Sequence, residues 1–135
     1  MADASRDFWP DMGTVTPIIT TPLGILKEQA AALARKTKGL LEGRVDSYTD
    51  TFDGFLHHFR IVAPTLNNYA YELFRVRHDV MLYPLQIDWP RLGKPETLEI
   101  KGQEAFEDSL KAILASEETR RVISTLLAQV KASAA

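Results

Sequence analysis

The 135-residue chain contains no cysteine. Disulfides, cysteine nucleophiles and thiolate metal sites are therefore excluded, and a reducing compartment would suit it. It also lacks any run of about 18 apolar residues, so no transmembrane helix is expected. The opening Met1-Ala-Asp-Ala-Ser-Arg-Asp stretch is polar, and no apolar signal core follows it. We therefore expect a cytoplasmic protein. An excess of one charge is missing too: 16 Lys+Arg meet 18 Asp+Glu, for a formal net charge of −2. Such a balance gives no long-range pull toward nucleic acid or anionic lipid. There is no Gly-x-Ser-x-Gly, no glycine-rich phosphate loop and no His-Glu-x-x-His, so no standard nucleophile, nucleotide or metal motif offers itself. Internal repeats and low-complexity segments are absent as well.

What is present is a concentration. Residues 48–89 hold nine of the twelve aromatic residues and all three histidines, but no lysine. The overall composition, 45% hydrophobic and 25% charged, is that of an ordinary globular protein. The length suits one domain with its own core. We expect an irregular arm over residues 1–20, pinned to the body by Phe8 and Trp9 or frayed, and one α+β domain over 21–135.

Thr21-Pro22 reads as a helix start: threonine caps free N–H groups, and proline at the first position loses no needed donor. Leu26, Ala30, Leu33, Thr37 and Leu40 then recur at helical spacing. Gly39 is a plausible stop, and Ala30-Ala31-Ala32 permits close approach to a sheet. The period then changes to two. Strands are expected over about 41–50, 55–63, 69–77 and 80–88, with a short fifth at Leu98–Ile100. Asp50-Thr-Phe-Asp-Gly54 and Asn67-Asn68 supply turns, and His78-Asp79 is a candidate hairpin tip. In the third strand Tyr69, Tyr71 and Leu73 set one parity, Phe74 and Val76 the other. That flip predicts a β-bulge near Leu73 or a sheet covered on both faces. Pro84, unable to donate a ladder bond, predicts an edge or bulge in the fourth strand. Two helices finish the chain. One has the stripe Phe106, Leu110, Ile113 and Leu114. The other is capped by Ser116 and has the stripe Val122/Ile123, Leu126/Leu127 and Val130, which packs on the sheet or forms a dimer seam. The fold class is therefore α+β: an N-terminal helix, an antiparallel meander of four to five strands, and two C-terminal helices. The helices should cover one face of the sheet and leave the other partly open.

Candidate chemistry gathers in the sheet. A turn centred on Asn67-Asn68 would set His57 opposite about residue 78. With Glu72, His57 and His78 are then candidates for a catalytic or ligand pocket. The simpler reading is that His57 is a hydrogen-bonded core histidine and His78 a turn residue. The same register sets Arg60 opposite Arg75, with Arg77, Tyr69 and Tyr71 on that parity. Arginine forks bind carboxylates bidentately and aromatic neighbours add stacking surface. The simpler reading is a solvated face whose arginines pair with Glu72, Asp46 or Asp88. Asp50/Asp53 and Glu117/Glu118 read as turn and helix-terminus chemistry rather than catalytic dyads.

The expected function is a non-enzymatic protein-interaction module, in the manner of an inhibitor, an immunity-type protein or an assembly subunit. It would bind a protein partner through Arg60, Arg75, Arg77, Tyr69 and Tyr71. No cofactor, metal, nucleic acid or membrane is expected, and homo-oligomerisation stays open. The alternative is a small-ligand-binding domain or small enzyme with a histidine-containing pocket between sheet and helices.

Overall fold

The computed structural model describes residues 6–18, 20–50, 52, 54–91 and 93–134. Helix α1 spans Pro22–Lys36. Thr21 caps it, accepting from the Gly24 N–H at 3.0 Å. Thr37 ends it: its hydroxyl shares its one proton between the Leu33 and Leu41 carbonyls and accepts from the Leu41 N–H, and Lys38 and Gly39 take left-handed backbone. The five strands are β1 Glu42–Asp50, β2 Gly54–Ala63, β3 Tyr69–His78, β4 Leu85–Trp89 and β5 Glu96–Ile100. Helices α2 (Gln103–Leu114) and α3 (Glu117–Ala134) follow. Ser116 caps α3, its hydroxyl accepting from the Thr119 N–H at 3.2 Å. The sheet is an antiparallel meander in the order β1-β2-β3-β4-β5, so the arrangement is α+β as the sequence predicts.

All three helices pack on one face. Leu26 and Ala30 from α1, Phe106 and Ile113 from α2, and Leu126 and Val130 from α3 share one core with Phe59, Ile61, Phe74, Val76, Leu85 and Ile87 of the sheet. Each large apolar side chain buried this way contributes about 1.5–3 kcal/mol. Helix α1 lies hardest on β1. A Cβ built on Gly43 would stand 2.4 Å from the Ala30 Cα, so only glycine fits there. The small residues of both elements thus set their spacing. The α3 stripe is turned into the core, with Val122, Ile123 and Leu127 half-buried against it.

Three expectations need correction. The β2–β3 register is not centred on Asn67-Asn68. A 3-10 turn at Pro64–Leu66 precedes them, and both asparagines have a φ of 58°. Ala63 therefore pairs with Tyr69 and Arg60 with Glu72, instead of Arg60 with Arg75. Strand β4 starts at Leu85 rather than near residue 80, leaving Met81 75% exposed. Asp79 organises the intervening turn by accepting from the Met81 N–H, and pairing resumes only after Pro84, which has no N–H to give. Finally, Phe8 and Trp9 are 83% and 79% exposed, so neither pins the arm. Among its described residues that arm is irregular apart from a 3-10 turn at Met12–Thr14.

The β-bulge near Leu73 is present. The ladder runs Phe59↔Phe74 and then Arg60↔Glu72, which leaves Leu73 extra. Leu73 and Phe74 are both buried in the core. From the bulge back to Tyr69 the alternation is inverted, and this inversion builds the candidate sites.

Candidate functional site: a charged outer face and a buried histidine pair

On the open face, perfect alternation would send Glu72 and Arg75 to opposite sides of β3, because they stand three residues apart. The bulge restores them to one side. Glu72 becomes a hub: it accepts from Arg75 Nε at 2.7 Å and contacts His58 Nδ1 at 2.5 Å and Arg60 at 3.5 Å. Arg60 bridges onward to Asp46, which also holds Arg44 at 3.3 Å. Arg77 engages Asp88 through Nε at 2.9 Å, and Thr97 donates to the same carboxylate. Tyr48 packs edge-on against His58 with ring centroids 5.3 Å apart and hydrogen-bonds Arg60. Burial opposes the charge on Glu72, but hydrogen bonds from His58 and Arg75 outweigh it and hold the carboxyl below the usual range. For Arg60, likewise, bonds to Tyr48 and Asp46 overcome burial and raise the pKa.

The arginines therefore pair with Asp46, Glu72 and Asp88, the acids the sequence offered. Arg60, Arg75 and Arg77 do share this face. Tyr69 and Tyr71 do not: beyond the bulge they pair with Ala63 and Ile61 on the helix side. There they line a cleft of about 550 Å³ with α3 residues such as Val122 and Leu126.

On the helix side, His57 pairs with Val76 and Phe55 with His78, so the two histidines meet on a diagonal. Their Nε2 atoms are 2.9 Å apart, and both rings are buried. His78 Nδ1 lies 2.7 Å from the Asp79 carbonyl oxygen. A carbonyl only accepts, so that nitrogen carries a proton. In the tautomers that satisfy every contact, His78 Nε2 accepts from the N–H of His57 Nε2. His57 Nδ1 is then left to accept from the Ser47 hydroxyl at 2.7 Å. The chain Ser47→His57→His78→Asp79 carbonyl is fully satisfied. Burial lowers the His57 pKa from 6.5 to about 4, aided by His78 and Lys27. His57 is thus neutral at pH 7. Phe55 stacks on His78 at 5.1 Å.

Glu72 lies on the opposite face from this pair. The sequence reading missed Ser47 as a partner of His57. The signal was the turn between Asp50 and Gly54, which fixes the Ser47↔His57 pairing by direct counting. Tyr48 was missed as a member of the outer face for the same reason. Among the described residues, no three His, Asp or Glu side chains converge to hold a metal ion. None of their helices is long and apolar enough to cross a membrane. Comparison with protein-family models, curated proteins and solved structures returns no match for this chain.

Proposed function

We propose that the chain is a protein-interaction module that docks a protein partner on the outer face of its sheet, as an inhibitor, immunity-type protein or assembly subunit would. The observation that carries this reading is the open face, left bare by helices that all pack behind it and covered by two ion-pair clusters, one linking Arg44, Asp46, Arg60, His58, Glu72 and Arg75 and the other joining Arg77 to Asp88. Cross-bonding holds these side chains in place before a partner arrives, which lowers the ordering cost of association. Arg75 engages only its Nε among the described residues. Its terminal N–H groups are left to a partner's carboxylate. Tyrosine and arginine are also the residue types that dominate interface energetics. Tyr69 and Tyr71 take no part in this surface, and Tyr48 takes their place.

The test is affinity capture with the tagged wild-type chain and an Arg75→Glu/Arg77→Glu variant, with the contact mapped by cross-linking. One partner, cross-linked to the outer face and recovered at least tenfold less by the variant, is the expected result. Equal recovery by both proteins, or cross-links confined to the helical side, overturns the proposal.

A further inference from the structure

The helical layer has a seam. Helix α1 rests mainly on β1, while α2 and α3 share the core with the rest of the sheet. Between them opens a cavity of about 440 Å³, within the range of about 300–1,000 Å³ typical of small-molecule sites. Its floor is Phe59, Ile61 and Leu73. Leu73 reaches this floor because the bulge turns it to the helix side beside Phe74. The α1 wall is narrow, with Ala32 beside Leu33, and Leu114 and Ile123 close the other side. Two exposed cations, Lys36 and Lys111, also line the cavity, and no carboxylate does. Neither lysine forms an ion pair with any described residue. Lys111 also borders an adjoining cleft of about 370 Å³ where Glu28 and Glu107 lie, yet it bridges to neither.

We propose that this cavity binds a free medium-chain fatty acid, its alkyl tail along the half-buried Leu33, Leu114 and Ile123 above the buried Phe59, Ile61 and Leu73, and its carboxylate between Lys36 and Lys111. A mostly apolar slot edged by two unpaired ammonium groups suits a ligand with one aliphatic tail and one anionic head. A neutral tail would forgo both cations, and a cationic head would be repelled by them. The histidines play no part: neither His57 nor His78 lines the cavity.

The test is titration calorimetry of the full chain with dodecanoate below its micellar concentration, beside dodecanol and dodecyltrimethylammonium. Dodecanoate is expected to saturate one site, with the two other heads at least tenfold weaker. Lys36→Glu/Lys111→Glu alters only exposed positions and is expected to weaken dodecanoate at least tenfold. Ala32→Trp, which fills the slot, is expected to abolish binding. No saturable binding overturns the proposal, as does equal binding of all three heads unaffected by the lysine changes. So does light scattering that shows a dimer dispersed by Lys36→Glu/Lys111→Glu, because a second copy would then occupy the seam.

Discussion

His57 should make this fold acid-labile in a pH range where carboxylates still hold their charge. Its imidazole is 3% exposed and titrates at about 4 when folded, against 6.5 ordinarily. The unfolded chain therefore binds a proton that the folded chain refuses. A group whose folded pKa is depressed gives stability that is present above its unfolded value and lost as pH falls toward the folded one. At 1.36 kcal/mol per pH unit, the full loss approaches about 3 kcal/mol near pH 4. Between pH 7 and pH 5 it is about 2 kcal/mol. That loss is large beside a total stability of about 5–15 kcal/mol. Urea unfolding followed by circular dichroism should show the midpoint falling by about 1 M over this range. His57→Gln keeps an acceptor and a donor at the site but cannot titrate. Its midpoint should fall less than that of the wild type by nearly this whole amount. Equal slopes in the two proteins would refute the reasoning, as would a His57 ring proton that titrates near 6.5 by NMR.

Three further outcomes follow from the packing. Gly43→Ala forces a methyl group into the Ala30 backbone and should cost about 1–3 kcal/mol in denaturant unfolding, part of which Ala30→Gly in the same chain restores. Glu72→Ala strips the acceptor from His58, Arg60 and Arg75 at once and should cost about 1–2 kcal/mol at neutral pH. The Glu72 carboxyl is held low in the fold, so its contribution is present above the unfolded value of 4.5 and fades as pH falls through the folded one. The gap between wild type and variant should narrow accordingly in acid titrations. Phe8→Ala and Trp9→Ala, at positions about four-fifths exposed, should each leave the melting point within the equivalent of about 0.5 kcal/mol.

The sequence by itself determined the element order. Local signals suffice there: the Thr21-Pro22 start, the Ser116 cap and the change of period after Gly39 act within a few residues of where they stand. It also determined that β3 carries a phase flip, because alternation is a property of one strand. It even named the acids that would pair with the arginines. What it could not supply was the pairing of β2 with β3. The 3-10 turn at Pro64–Leu66 shifts the β2–β3 ladder, and the bulge residue Leu73 shifts it again. Side chains alternate with a period of two, so a one-residue slip reverses every later side chain. Tertiary structure alone decided that Tyr69 and Tyr71 leave the arginine face. It decided that Glu72 lies apart from His57 and His78, on the opposite face of the sheet. The seam between α1 and the C-terminal helices was equally illegible, because it depends on how far apart three helices settle on one sheet, and no spacing within any one of them records that distance.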